Sequence, residues 1–329
     1  MARLLSDLGE KLLIREVIRN SGALDDSLLP LNDDAQILRP PSSLEYPQVI
    51  ATDRTPTDLR PLVWGIYSYH QYGSYHAISN LSDIAAMGAR PFGYLLNIAA
   101  PGSFPLSDFE SVFQGVIAEL TKYDTTLLGG DTKEGAELNL VGIAVGQSWG
   151  EKLLTRSGCR PGDKLIISGR NCGYIPAAHA LFARNGWSSS NLYERQLTEA
   201  FYGLRPHFVE SKLLQDSGVC TSCIDNSDGI AASLDEISEA SGVSFKLYPD
   251  SLEITDAVSY VASSVDQNPL EIMLGAGGDF RLIATVREFS ECLHSSFIVI
   301  GEAQELNVLS SSRSVVDLTR VSRWNHFTV

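Results

Sequence analysis

Residues 80–91 read Asn-Leu-Ser-Asp-Ile-Ala-Ala-Met-Gly-Ala-Arg-Pro, and no other stretch restricts the fold as much. Ala77, Leu81, Ile84, Ala85 and Gly88 recur at helical spacing, and Gly88 and Pro91 supply a stop. The odd member is Asp83. It sits among small apolar residues, where a helix packs closely against a neighbour. A lone carboxylate buried there is costly unless a cation or strong donors neutralise it. The helix alone leaves two readings open: a cap or buried salt bridge, or a carboxylate held inward to bind metal.

The chain has 329 residues, natural for two domains of ordinary size. With 44% hydrophobic and 20% charged residues it reads as a soluble globular protein. No apolar run approaches the ~20 residues that span a bilayer, so no membrane partner is expected. The first residues, Met-Ala-Arg-Leu-Leu-Ser-Asp, turn into charged helix without a signal-peptide core, so a cytoplasmic location is expected. The net charge of −15 opposes direct binding of nucleic acid. An acidic chain can still hold a phosphate ligand through bridging divalent cations. Cys159, Cys172, Cys220, Cys223 and Cys292 are odd in number and scattered, which is no disulfide framework. Cys220 and Cys223 have redox spacing but no redox setting, and read as buried strand cysteines.

Periodicity and breakers predict an amphipathic helix over 6–20, strands over 36–38 and 48–53, and a mostly helical stretch over 62–90. A strand over 92–99 follows, then a helix over 107–122 capped by Ser107 with Glu110. Next come a strand over 125–128 running into Gly129-Gly130-Asp131-Thr132 and a strand over 138–147. A second unit starts near 149. Its expected strands are 164–168, 219–225 and 297–302, with a Gly-rich turn and strand over 272–286. Its expected helices are 176–184, 209–215 and 230–241, with a polar helix-like stretch over 186–208.

Acids recur at the ends of these strands. They are Asp33 and Asp34, Thr52 with Asp53, Asp131 with Thr132, and Asp225 with Ser227 and Asp228, besides Asp83 on the helix. Each alone is weak, since such acids usually cap or solvate turns. Together they form a set of hard oxygen ligands suited to several Mg²⁺ ions. His and Cys are absent from all five groups, which argues against zinc. Clustered carboxylates repel one another unless cations sit between them. Gly129 and Gly130 before Asp131, and the glycines of 275–278 before Asp279, let backbone approach a ligand closely. No Walker loop and no kinase-like lysine motif occurs, so phosphate binding would rest on metal bridges helped by Arg156.

The order and wording of these motifs resemble the thiamine-monophosphate kinase family, in the superfamily of aminoimidazole ribonucleotide synthetase. The resemblance runs through Asp-Asp-Ala at 33–35, Thr52-Asp53, residues 80–91, Gly-Gly-Asp-Thr at 129–132, Thr-Arg-Ser-Gly at 155–158 and Arg-Pro-Gly-Asp at 160–163. It continues through Asp-Asn-Ser-Asp-Gly at 225–229, Glu-Ala-Ser-Gly-Val at 239–243 and Arg-Trp-Asn-His-Phe at 323–327. It implies an α+β protein with a two-domain PurM-like fold: an N-terminal α/β dimerisation domain (1–148) and a C-terminal α+β domain (149–329). ATP and several Mg²⁺ would sit between them in a homodimer. Carried over by motif, Asp34, Thr52, Asp53, Asp83, Asp131, Asp225 and Asp228 are the implied metal ligands, with Asp83, Asp131 and Asp228 as catalytic acids. Gly130, Asp131, Arg156 and Ser227 are the implied ATP contacts. The implied reaction moves the γ-phosphoryl of ATP directly to the phosphate of thiamine monophosphate.

Departures from the family pattern gather at the acceptor end. Arg60 falls where the family has a substrate-facing His, and Gly278 replaces the first acid of the later loop. Glu134 stands where the family is basic, and Asn32 where it has Gly. Trp324 keeps the aromatic that stacks on substrate. Loss of an acid beside a cationic thiazolium lowers charge complementarity, and Arg54, Arg60 and Arg281 point to an acceptor more anionic, or less cationic, than thiamine. The alternatives are therefore a same-superfamily kinase or ligase with another small acceptor, or a non-catalytic nucleotide-binding protein. Two relatives are set aside. The hydrogenase-maturation enzyme needs a C-terminal Cys, and this chain ends in Val329; selenophosphate synthetase needs an N-terminal Cys or Sec, and no Cys precedes Cys159.

Overall fold

The computed structural model describes residues 33–38, 46–170 and 172–306. The helix expected over 6–20, Asn32 and Trp324 lie outside them. Two five-stranded sheets divide the described chain. The first contains β1 (Gln36–Leu38), β2 (Gln48–Pro56), β3 (Ala89–Ala100), β4 (Thr126–Glu134) and β5 (Asn139–Ser148), in the order β1-β2-β5-β3-β4, with only β3 and β4 parallel. The second contains β6 (Lys164–Ser168), β7 (Cys220–Asp225), β8 (Val243–Leu247), β9 (Leu282–Val286) and β10 (Phe297–Glu305), in the order β7-β9-β6-β10-β8, antiparallel throughout. The mixture of helices and sheets is the expected α+β class. Among the described residues no helix is long and apolar enough to cross a membrane.

Strand β5 shows why the first sheet has an inside. Leu140, Ala144 and Ser148 are buried, whereas Val141, Ile143 and Val145 between them are half-buried, the period-2 pattern of a sheet covered on one face. The cover is α2 (Tyr69–Ala86) backed by α3 (Leu106–Lys122). Helix α2 is buried nearly all round in its C-terminal half, polar Asn80 and Ser82 included. It starts at a reciprocal cap: Gln71 N–H donates to Ser68 Oγ, and Ser68 N–H donates to Gln71 Oε1 at 2.9 Å. Its contact with α3 is made backbone to backbone. A Cβ at Gly73 would lie 2.0 Å from the Val112 carbonyl oxygen, and one at Gly115 2.0 Å from that of His70.

The second sheet is covered on both faces, and β9 is accordingly buried at all five positions. One face packs under α4 (Tyr174–Asn185), α5 (Leu192–Tyr202), α7 (Ile230–Ser241), α8 (Asp256–Val265) and α9 (Pro269–Leu274). The other closes on α6 (Phe208–Ser217) and on the end of α2. Ala86 shares one apolar cluster with Ile166, Leu214, Cys223, Leu282 and Ala284. Helix α2 thus belongs to both halves, and the Ser211 hydroxyl fastens the junction by donating to the Ala85 carbonyl.

Several expected boundaries move. The stretch 62–90 is broken: α1 (Arg60–Val63) ends, Gly65 turns at φ 78, and α2 restarts at its cap. Pro91 does not stop the chain but lies inside β3, tolerated beside a bulge between Pro91 and Gly93. Helix α3 is entered through Pro105 with no side-chain cap, and Ser107 caps nothing. Strand β4 runs straight through Gly129, Gly130 and Asp131, and β2 runs past Asp53 to Pro56. Strand β8 and helices α8 and α9 lack a sequence signal strong enough to predict.

Gly115→Ala places a methyl against the His70 carbonyl, so the two helices must separate. Chemical denaturation is expected to show a loss of roughly 1–3 kcal/mol, as for overpacked cores. An unchanged midpoint would contradict the backbone contact.

Candidate active site

Asp83 sits in the last turn of α2, Asp225 closes β7, and Asp34 precedes β1. Three separate segments therefore deliver three carboxylates, whose oxygens lie within 4.8 Å of one another. Asp225 Oδ2 accepts from the Ser82 hydroxyl at 2.6 Å, a bond joining the two halves of the chain. Asp34 Oδ1 accepts from Arg156 Nη2 at 2.5 Å, and Arg156 Nη1 also lies 3.5 Å from Glu236 Oε2. The Arg156 backbone N–H donates to Asp33 Oδ2 at 3.3 Å. Asp53 is held from its main chain, its N–H donating to Asn80 Oδ1 at 3.0 Å while Asn80 Nδ2 donates to the His76 carbonyl at 2.9 Å.

The electrostatics follow from this crowding. Burial pushes the Asp83 carboxyl well above the ordinary carboxylate range, and the charges of Asp225, Asp34 and Asp53 push it further. Burial, then Asp34, raises Asp225 to about 8, against the opposing pull of Ser82 and Arg156. Asp33 rises to about 7 through burial and Asp34. Asp34 is raised by burial although Arg156 opposes it. Asp228 acts on Asp225 from the following loop. Arg156 alone does not neutralise such a group. Asp34 Oδ2 is buried and has no hydrogen-bond partner, although an ionised carboxylate oxygen so placed calls for one. Only oxygen donors converge here, which suits a hard divalent cation.

The structure thus brings Asp34, Asp83 and Asp225 together, with Arg156 bound to Asp34, while the charge of Asp53 acts on Asp83 and that of Asp228 on Asp225. It does not bring Asp131 to them. Asp131 lies on β4, the exposed edge of the first sheet, 3.3 Å from Lys133 Nζ. Three strand spacings separate β4 from β2, about 14 Å. Gly130 has a structural reason of its own, since a Cβ there would come 1.8 Å from the Leu96 carbonyl oxygen across the β3–β4 pair. The Thr52 hydroxyl donates to the Gly142 carbonyl at 2.8 Å. Ser227 is exposed in the loop after β7.

In the loop before β9, Gly278 admits no side chain: a Cβ would sit 2.0 Å from the Ser227 carbonyl oxygen and 2.2 Å from that of Asn226. The loop before β9 is zipped to the loop after β7 by Phe280 N–H to Asn226 O, 3.0 Å, and Asn226 N–H to Arg281 O, 2.7 Å. Of the three arginines, Arg54 turns to Asn139 Oδ1 at 3.1 Å. Arg281 is bound to Asp279 Oδ2 at 2.8 Å and to the Ser168 carbonyl, and lines a cavity of about 260 Å³ with Gly169, Tyr174 and His207. Arg60 is exposed at the start of α1, where its charge joins burial in lowering His179 to about 4. The site residues not anticipated are Asn80, Ser82 and Glu236. The first two lie in the stretch already singled out and were visible as polar residues inside an apolar helix; Glu236 has no sequence signal.

The domain family described as AIR synthase related protein, N-terminal domain, matches residues 32–148. The chain is 30% identical to the thiamine-monophosphate kinase of Pyrococcus abyssi over 250 residues, 75% of this chain and 76% of that one. It is 30% identical to that of Corynebacterium glutamicum over 302 residues, 91% of this chain and 87% of that one. The structure of AaThiL complexed with AMPPCP and TMP superposes with a TM-score of 0.83 at 22% identity, covering 99% of both chains.

The raised carboxyls set a pH dependence for the protein freed of divalent cations. Below about pH 4 they are protonated in both folded and unfolded chains. Between about pH 4 and 8 the folded chain keeps protons that the unfolded chain releases, so stability falls as pH rises. The melting temperature in EDTA is expected to drop from pH 5 to pH 8 and to recover on adding Mg²⁺ at pH 8. A flat profile, or no response to Mg²⁺, would contradict the cluster.

Proposed function

Because the chain belongs to the thiamine-monophosphate kinase family, we propose that it transfers the γ-phosphoryl group of ATP to thiamine monophosphate, giving thiamine diphosphate. The observation that carries this reading is the Asp34–Asp83–Asp225 cluster, with oxygens within 4.8 Å and Arg156 on its rim. Asp34, Asp83 and Asp225 would hold Mg²⁺, with Asp53 and Asp228 close by. Cations held by these acids would supply charge neutralisation between the carboxylates and the phosphates. The chain's own residues then position. Ser82 fixes one oxygen of Asp225, Asn80 fixes the Asp53 main chain, and Arg156 orients Asp34 while placing a permanent positive charge beside the phosphate site. No nucleophile is needed. Burial pushes the Cys220 and Cys223 thiols up, out of the thiolate form, and no histidine belongs to the cluster. Direct transfer between aligned substrates is the chemistry such a site supports.

The outer face of the first sheet supports a homodimer. Val141, Ile143 and Val145 lie half-buried on it, and Phe92 and Leu128 are exposed. A Cβ at Gly93 would meet both Leu128 and Val145, so these side chains share that face. An apolar sheet face of this kind is covered by a partner in stable proteins, and a second copy fits a self-complementary patch. Light scattering at micromolar concentration is expected to give twice the chain mass, and Ile143→Asp to give the chain mass. A monomeric parent protein would contradict the pairing.

One observation favours a second acceptor. No acid can occupy 278 on this backbone, so the loop that the resemblance places at the acceptor lacks the charge that would complement a cationic thiazolium. Gly278→Glu is for the same reason expected to disrupt the loop rather than to create activity. Purified protein with ATP, Mg²⁺ and a panel containing thiamine monophosphate separates the readings. Conversion to thiamine diphosphate is expected, with Asp83→Asn slower by at least about a hundredfold. Turnover of ATP with another acceptor only would establish the second reading, and undiminished turnover by Asp83→Asn would overturn the site.

A further inference from the structure

Beneath the acids lies a buried polar layer whose groups are only partly used. The His76 ring is fully buried, with Nδ1 2.9 Å from the Thr55 hydroxyl and Nε2 without a partner. The Tyr72 hydroxyl donates to the Thr55 carbonyl at 2.7 Å, and Asn80 spends its amide on His76 and Asp53. The last member is Tyr94, on β3. It is fully buried, and its hydroxyl has no hydrogen-bond partner. That hydroxyl occupies a place made for it. A Cβ at Gly142 on the neighbouring strand would lie 1.9 Å from Tyr94 Oη and 2.7 Å from Asn80 Nδ2. Tyr94 Oη and the Asn80 amide therefore crowd the same small volume, directly under the main chain that Asn80 fixes at Asp53.

A phenylalanine would fill this position with the same ring and no orphaned group, so the hydroxyl has a cost without a return in the fold itself. Its surroundings indicate the return. After burial, the charges that act on it most are those of Asp53 and then Asp83, which push its titration upward and keep it a hydrogen-bond donor. The geometry agrees: Gly142, against which this hydroxyl lies, is the residue paired with Asp53 across β2 and β5, and a donor placed behind a metal-binding acid is a common partner for it.

We infer that Tyr94 is a positioning residue for the acid cluster, its hydroxyl donating to the Asp53 carboxylate when a divalent cation is bound. The inference rests on the reading of the cluster as a cation site, but its test does not depend on phosphoryl transfer. Asn80 holds Asp53 through its backbone N–H, and the Asp53 carboxylate accepts from the Arg54 backbone N–H through Oδ1 at 2.7 Å; a side-chain donor from β3 would add a second hold on the carboxylate itself. A bond from Tyr94 would restrict that carboxylate and favour its ionised form, the form that binds a cation. The polar layer would then link β3, β5 and α2 to the site: Gly142 provides the room, Tyr94 the donor, Asn80 the fixed main chain.

Two measurements on the full chain, neither needing an acceptor or turnover, test this. Mn²⁺ affinity is read by electron paramagnetic resonance for the parent and Tyr94→Phe, alongside melting temperatures in EDTA. Tyr94→Phe is expected to bind Mn²⁺ about tenfold more weakly, as for groups behind metal ligands, while melting at or above the parent temperature without the cation. Affinity within twofold of the parent would overturn the proposal, as would a lower melting temperature in EDTA that accounts for the weakened binding. Because the substitution could disturb folding, the second measurement keeps the hydroxyl. With 3-fluorotyrosine at position 94, the ¹⁹F resonance is expected to shift when Mg²⁺ is added to the folded protein. No shift under saturating Mg²⁺ would overturn the proposal, and Mn²⁺ binding by the parent at Asp34→Asn-insensitive strength would instead overturn the cation site on which it rests.

Discussion

Mutual repulsion among Asp34, Asp83 and Asp225 is the constraint around which the chain is arranged. With oxygens within 4.8 Å of one another, each ionised pair costs about 3 kcal/mol at an effective dielectric of 20. The fold does not relieve this by spreading the acids apart. It holds them at the junction of its halves. Asp83 comes from the helix that caps the first sheet, and Asp225 from an edge strand of the second. The Ser82–Asp225 bond and the shared cluster around Ala86 lock the two together. A protein that keeps such strain at a rigid junction has a site that an arriving cation stabilises, so binding and folding free energy are coupled there.

Close backbone approach carries the same logic outward. Helices α2 and α3 touch through Gly73 and Gly115, which holds Asp83 at a fixed height over the sheet. Gly278 and Gly229 let the loop before β9 lie directly on the loop that follows Asp225: a Cβ at Gly229 would lie 2.1 Å from the Gly275 carbonyl oxygen. The loop before β9 and the acid loop therefore form one unit. A residue change in either is felt by both, and side chains at 278 are excluded by geometry before charge is considered.

The parts of this design that were legible in the sequence are those with local signatures. Asp83 was conspicuous as a carboxylate within small apolar residues, and Asp34, Asp53, Asp225 and Asp228 through their strand and loop settings. The clustering itself depends on long-range packing, so the sequence could not separate Asp131, which also follows an apolar strand but lies on the far edge strand. Helix α8 was illegible for a different reason. Its serines and β-branched residues are poor helix formers, and burial of Val258, Val261 and Val265 makes it helical. Strand β8 follows Gly242 with no intervening loop, so no turn signal marks it. Glycine roles were legible only as close approach. Gly130 meets a neighbouring strand, where the wording suggested a ligand.

The account's central claim is that the three junction carboxylates share bound cations beside the nucleotide. Anomalous diffraction at the manganese edge, from crystals grown with Mn²⁺ and a non-hydrolysable ATP analogue, measures this directly. Metal peaks about 2.1 Å from oxygens of Asp34, Asp83 and Asp225 are the predicted result. Nucleotide bound with manganese absent from these carboxylates, or gathered instead at Asp131 on the sheet edge, would contradict it.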